Sequence, residues 1–233
     1  MMNNREIVLN LIPEIRNECE DYINAIVKRY DEFMEYSQLP EACYGFDNTS
    51  IIPDKLKKLF TNIHIAVQDK YSFIFLFRDY INTEYLAYLM TQVYFRSCIL
   101  KDIRVEEILY IDTKLLVEDY KKLMNANNNE PSPLPVHSLE TLYSTIEKAP
   151  IVIWDKMMLI DSNYDRDKLY DIINVRNRKG LGNFYFAMES MAKFSEVLGP
   201  NLALMVNEYQ AAAFNCSTSS IPVDHKKEVQ LFI

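Results

Sequence analysis

Residues 150–187 read PIVIWDKMMLIDSNYDRDKLYDIINVRNRKGLGNFYFA, and this stretch decides the predicted fold. Two short apolar runs, 150–154 and 183–187, flank a charged segment, 165–179. The apolar runs have the length of buried strands, and the charged segment has the length of a helix. Strand and helix that alternate at these lengths are typical of a parallel sheet covered by helices.

The same alternation continues on both sides of this stretch. Further apolar runs predict strands at 72–77, 107–112 and 210–216. Amphipathic segments predict helices at 54–68, 83–95, 113–124 and 138–147, and two short helices within 191–207. The chain is therefore predicted to be an α/β protein with a parallel sheet and helices on both faces. A loop rich in asparagine and proline, 125–135, is expected to be exposed and mobile.

The first 37 residues are predicted to be helical, with a kink or a second helix start at Pro13. We expect three parts: a helical segment at 1–37, the α/β domain at 38–217 and a tail at 218–233. The helical segment carries an apolar stripe at helical spacing. Its candidate partner-binding residues are Ile12, Ile15, Tyr22, Ile26, Tyr30 and Phe33. The stripe could anchor a partner protein, or it could pack on this protein's own domain.

Composition excludes several function classes. Only 4 glycines occur in 233 residues, and neither a P-loop string nor a dinucleotide-binding string is present. The net charge of -8 favours a protein partner over nucleic acid. Scattered cysteines and histidines give no metal-ligand spacing, so we predict no metal and no cofactor. We find no signal peptide or membrane span, and expect a soluble, cytoplasmic protein.

The order of elements and several local strings resemble the bacterial replicative-helicase loaders of the DnaC/DnaI type, a branch of the AAA+ ATPases. The best segment is 163–182, a charged helix that ends in I-I-N-x-R, placed between the Walker B strand 151–155 and the sensor strand 183–187. Residues 109–123 and 190–199 are similar to loader segments in the same order. The resemblance covers about residues 38–216 and implies an AAA+-like parallel sheet.

Placed on the loader pattern, the nucleotide-binding motifs are degenerate. Walker A falls on 77–84, with Phe77 and Asn82 where glycines belong, Thr83 where the phosphate lysine belongs and Glu84 where the magnesium-binding hydroxyl belongs. The Walker B remnant is Asp155, and the second acid is replaced by Lys156. Asp155 and Lys156 are expected to form a strand-end ion pair. The sensor asparagine falls on Met188, and 200–205 lacks the family's arginine.

The densest basic patch comprises Arg176, Arg178 and Lys179. It could contact single-stranded DNA weakly, as the resemblance implies, or it could be a solvated helix end favoured by the helix dipole.

Together these features predict a non-ATPase relative of the helicase loaders. It would bind a replicative helicase or its loader and modulate the initiation of DNA replication, in a direction that the sequence leaves open. Two alternatives remain: a structural subunit of another AAA+ assembly, clamp-loader-like or transposition-associated, and an ATPase with an atypical site.

Overall fold

In the part of the chain that the structure describes, five strands form one parallel sheet in the order β2-β3-β4-β1-β5. They are β1 (Phe73–Phe77), β2 (Ile108–Asp112), β3 (Ile151–Asp155), β4 (Gly182–Met188) and β5 (Ala212–Asn215). Each neighbouring pair is parallel, as in the register of Phe73 opposite both Phe184 and Ala212. The five predicted strands and their parallel arrangement are therefore confirmed.

The computed structural model describes residues 3–40, 56–77, 83–124, 136–160, 162–188 and 190–215. Its α-helices are α1 (Asn4–Leu11), α2 (Glu20–Ser37), α3 (Lys57–Thr61), α4 (Ile63–Gln68), α5 (Thr83–Leu100), α6 (Thr113–Met124), α7 (Val136–Ile146), α8 (Asn163–Arg178) and α9 (Met191–Tyr209). None of these described helices is long and apolar enough to cross a membrane. The predictions for Asn82, the Met188 side chain, the loop 125–135 and the tail 218–233 fall outside the described residues.

Helix breaks occur where the backbone chemistry requires them. A 3₁₀ turn, Pro13–Asn17, separates α1 from α2, as expected of a proline that lacks the N–H of a continuing helix. In α9, Gly199 has a φ of 74° and is followed by Pro200, so the two predicted short helices meet there. The described part of the segment predicted to be helical at 54–68 is helical, but it is divided into two short helices, α3 and α4, that join at Asn62.

The sheet is covered on both faces because the side chains of a strand alternate between them. The aromatic residues Phe73, Phe75 and Phe77 of β1 belong to the cluster that also contains residues of α2, α4 and α5. Ile74 and Leu76 of β1 belong to the opposite cluster, with residues of α8 and α9. This burial on both faces explains why the strands are continuous apolar runs in the sequence.

The apolar stripe of the first 37 residues packs on the protein's own α5. Ile12, Ile15, Ile26, Tyr30 and Phe33 are at most 5% exposed and lie in the core cluster beside β1. The rings of Tyr30 and Phe95 are in edge contact at 5.2 Å between centroids. The Tyr30 hydroxyl also donates a hydrogen bond of 3.0 Å to the buried Gln92.

The expectation that this stripe anchors a partner therefore needs correction. Five of its six candidate residues are inside the chain's own core, where a partner cannot reach them. Tyr22 is 44% exposed, because its neighbour Ile23 takes the buried position at that turn of α2. The arrangement favours the alternative in which the stripe stabilises this domain.

We predict that Phe33→Ala lowers the free energy of unfolding by about 3–5 kcal/mol, since it leaves a cavity against Tyr94 and Phe95. Urea unfolding followed by circular dichroism measures the change. Tyr22→Ala, on the same helix but exposed, is the matched control and should change stability by less than about 0.5 kcal/mol. Equal stability of the two variants would contradict the placement of Phe33.

Candidate functional site

Polar side chains gather at the carboxyl edge of the sheet, where parallel sheets build their ligand sites. Tyr110 and Asp112 come from the end of β2, and Asp155 ends β3. Lys156 follows Asp155 directly, and α5 begins at this edge with Thr83 and Glu84 in its first turn. We call these six residues the edge network: Tyr110, Asp112, Asp155, Lys156, Thr83 and Glu84.

Asp155 is the buried centre of the edge network, with 2% of its surface exposed. Its Oδ2 accepts hydrogen bonds from the Thr83 hydroxyl at 2.8 Å and the Tyr110 hydroxyl at 2.7 Å. Its Oδ1 accepts the backbone N–H of Lys156 at 2.7 Å. Burial raises the pKa of Asp155 above its ordinary value, and these hydrogen bonds offset only part of that effect.

The Lys156 ammonium lies between two carboxylates from different elements. Its Nζ donates to Glu84 Oε1 at 2.7 Å and to Asp112 Oδ2 at 2.6 Å. The other oxygen of Asp112 accepts the N–H of Leu115 and so caps α6. Burial alone lowers the pKa of Lys156, but hydrogen bonds and charges from Asp112 and Glu84 outweigh burial and raise that pKa above its ordinary value.

The backbone of Lys156 is left-handed, with a φ of 57°. A residue other than glycine pays about 1 kcal/mol or more in this conformation, so surrounding contacts must hold it there. The two ion pairs and the backbone hydrogen bond to Asp155 provide such contacts.

The predicted ion pair between the side chains of Asp155 and Lys156 is wrong. The ammonium pairs with Glu84 and Asp112, and only the backbone N–H of Lys156 binds the Asp155 carboxylate. The structure brings Thr83, Glu84 and Asp155 together, whereas Phe77 is a buried core residue in contact with the ring of Phe186.

Tyr110 and Asp112 were missed by the sequence reasoning. Their position in the sequence could have indicated them, because both lie at or near the end of a predicted strand. The neighbouring strand in the sheet ends in Asp155. In the register of the two strands, Asp112 lies directly opposite Asp155.

Arg176 is fully buried and holds the opposite edge of the sheet together. Its guanidinium donates to the carbonyls of Ile146, Ala149 at 2.8 Å and Gly182 at 2.5 Å, and to the Asn183 side chain at 2.8 Å. It thereby joins α8 to the end of α7 and to the region where β3 and β4 begin. Burial lowers its pKa to about 10.

The predicted DNA-binding patch of Arg176, Arg178 and Lys179 therefore needs correction. Arg176 is 0% exposed and cannot contact DNA. Arg178 and Lys179 are exposed, and the Lys179 ammonium lies 3.4 Å from a carboxylate oxygen of Glu147. A sequence signal for the burial of Arg176 existed, since it stands three residues after Ile173 and four after Ile172, on the buried face of α8.

Comparison with solved structures finds a similar fold in a helicase loader. A structure described as the DnaC helicase loader matches with a TM-score of 0.54 and 15% identity, over 73% of this chain and 97% of that one. DnaI matches with a TM-score of 0.49 and 12% identity, over 76% and 88%. A DNA replication initiation factor matches with a TM-score of 0.48 and 10% identity, over 75% of this chain and 48% of that one.

The likeness to DnaC establishes the fold class: the chain has an AAA+-like α/β fold, as predicted. No protein-family model matches the sequence, and no curated protein matches it. Among the described residues, no group of three or more His, Cys, Asp and Glu side chains could hold a metal ion.

Replacing Arg176 with methionine should lower the free energy of unfolding by about 3 kcal/mol or more, because each buried acceptor left without a donor costs about 1–3 kcal/mol. Arg178→Met, two residues further along α8 and exposed, is the matched control and should stay within about 0.5 kcal/mol of the parent. Urea unfolding of both variants measures the difference. An Arg176→Met protein as stable as the control would show that the buried hydrogen bonds do not hold this edge.

The raised pKa of Asp155 predicts a pH dependence with a definite sign. The folded chain holds the proton of the Asp155 carboxyl more tightly than the unfolded chain does. The free energy of unfolding should therefore fall as the pH rises from 3.8, the ordinary pKa of an aspartate, through the raised pKa of Asp155 in the folded chain. Asp155→Asn should remove this contribution from the profile, whereas the exposed control Asp69→Asn should retain it. Thermal unfolding between pH 4 and 7 tests this, and identical profiles for the parent and Asp155→Asn would contradict it.

Proposed function

We propose that this chain is a helicase-loader-like protein that binds a replicative helicase or its loader and modulates the initiation of DNA replication without hydrolysing ATP. One observation carries the proposal. At the edge of the sheet where an AAA+ ATPase would hold nucleotide and Mg²⁺, this chain's own side chains bind one another.

The first support is the position of the Lys156 side chain. The Lys156 ammonium is already paired with Glu84 and Asp112, at 2.7 and 2.6 Å. The position that would carry the phosphate-binding lysine has Thr83, whose hydroxyl donates to Asp155. Like charges 4 Å apart repel by about 4 kcal/mol at an effective dielectric constant of 20, so carboxylates here oppose a polyphosphate.

The second support is the state of Asp155. A carboxylate that binds Mg²⁺, directly or through water, needs acceptor positions free for the ion's shell. Here one oxygen of Asp155 accepts two hydroxyl donors and the other accepts a backbone N–H. Three of the roughly four acceptor positions of this carboxylate are thus taken, and the residue is only 2% exposed, so an ion would have to displace a donor or reach the one position left. The residues of the edge network therefore do not fit a nucleotide with its magnesium ion.

The third support concerns the partner. The chain carries a net charge of -8, and the structure buries Arg176, the first residue of its densest basic patch. Both facts disfavour a role that depends on DNA phosphates. The fold is similar to that of a protein described as a helicase loader, and this similarity favours a replicative helicase or its loader as the partner.

The nucleotide part is tested by the melting temperature of the full chain with millimolar ATP and Mg²⁺. We expect no increase, whereas binding at 100 times the dissociation constant would add about 2.7 kcal/mol of stability. Tripolyphosphate at the same concentration is the control for nonspecific anion effects. A rise of several degrees with ATP alone would contradict the proposal and favour an ATPase with an atypical site.

The partner part is tested by size-exclusion chromatography of the full chain with purified replicative helicase, and separately with purified helicase loader. Co-elution with one of them is the expected result. Failure to co-elute with either would contradict the proposal. Co-elution with clamp-loader or transposition proteins instead would favour the structural-subunit alternative.

A further inference from the structure

A groove of about 580 Å³ runs between α8 and the second half of α9, on the face of the sheet away from α2 and α5. On α8 it is lined by Asp167, Tyr170 and Asp171, which are spaced at i, i+3 and i+4 and so share one face. On α9 the lining includes Met205, Glu208 and Tyr209, which have the same i, i+3, i+4 spacing, and Leu204 beside them. The groove therefore has two helical walls.

The walls combine negative charge with exposed apolar surface. The carboxylates of Asp167, Asp171 and Glu208 form no hydrogen bond or ion pair with the described residues, and no described residue that lines the groove is basic. Leu204 is 70% exposed and Tyr209 is 45% exposed. Exposed apolar side chains rimmed by polar residues are typical of a surface that a partner covers.

We propose that this groove binds a basic amphipathic helix of a partner protein. Lysine and arginine side chains of that helix would pair with Asp167, Asp171 and Glu208, and its apolar face would cover Leu204 and Tyr209. The proposal names a surface for the partner binding set out above and rests on that function.

The dimensions and charge of the groove favour this occupant. The lining extends over eight residues of α8, 167–174, and nine residues of α9, 201–209, which is about 10–12 Å along the helix axes. About two turns of a partner helix, at 5.4 Å a turn, fit that length. Nucleic acid and a second copy of this acidic chain both carry the wrong charge for three carboxylates.

The test uses the full chain and a defined probe: a fluorescent 18-residue amphipathic peptide with leucine on one face and lysine on the other. The matched probe has glutamate in place of lysine. The groove variant combines Asp171→Lys with Leu204→Ser. The control variant combines Glu35→Lys with Leu100→Ser, which makes the same changes at exposed positions outside the groove. Circular dichroism establishes that both variants are folded, and Glu208→Gln provides a milder change.

We expect the lysine peptide to bind the parent in fluorescence anisotropy, and the groove variant to bind it at least tenfold more weakly. The control variant should stay within twofold of the parent, Glu208→Gln should weaken binding less than the groove variant does, and the glutamate peptide should not bind. No binding by the parent, equal loss in both double variants or equal binding of both peptides would overturn the proposal.

Sedimentation of the chain alone tests a second copy as the occupant. Self-association that the groove variant abolishes would overturn the proposal in favour of a homodimer surface. The peptide assay contains no helicase, so it tests the groove separately from the proposed function. If the peptide binds but neither the helicase nor its loader co-elutes, the proposed function is contradicted and the proposal for the groove is retained.

Discussion

The ammonium of Lys156, held between Glu84 and Asp112, organises the carboxyl edge of the sheet. It joins the residue after β3 to the end of β2 and to the first turn of α5. The parallel arrangement makes this meeting necessary, because the carboxyl ends of β2 and β3 lie side by side in register. The carboxylates of Asp112 and Glu84 meet at this edge and would repel each other unless a cation lay between them, and Lys156 supplies that cation. The hydrogen bonds of Asp155 complete the same network.

The opposite edge depends on a second cation, Arg176, which is fully buried and has no carboxylate partner among its hydrogen bonds. Arg176 is surrounded by carbonyl groups and an amide, with four acceptors for its guanidinium. Asn183 lies beside it and also accepts the indole N–H of Trp154 at 3.0 Å. The I-I-N-x-R string that underlies the resemblance to helicase loaders thus has a structural role in this chain, since its arginine ties α8 to the start of the sheet.

The strands were predictable because burial on both faces leaves a clear mark in sequence, as in the run from Phe73 to Phe77. The helix breaks at Pro13 and Gly199 were predictable from backbone chemistry. The partners of charged residues were not, because adjacency in sequence does not determine which side chains meet. The Lys156 ammonium pairs with Glu84, which is 72 positions away in the sequence, and not with the adjacent Asp155.

Helical periodicity has a similar limit. It located the apolar face of α2, but it could not say whether the protein's own α5 or a partner would cover Phe33. Periodicity also places Arg176 on the buried face of α8, but a charged side chain is expected at the surface unless hydrogen bonds satisfy it, and periodicity does not reveal those bonds. The groove between α8 and α9 arises from two distant segments, and no local string marks it.

The central claim is that the edge network occupies the place of a nucleotide. A crystal structure of the full chain, grown with millimolar ATP and Mg²⁺, tests it most directly. The account predicts that Lys156 Nζ lies between Glu84 and Asp112, that Thr83 and Tyr110 donate to Asp155, and that no nucleotide density appears at this edge. Nucleotide bound between α5 and the end of β3, with Lys156 displaced from both carboxylates, would contradict it.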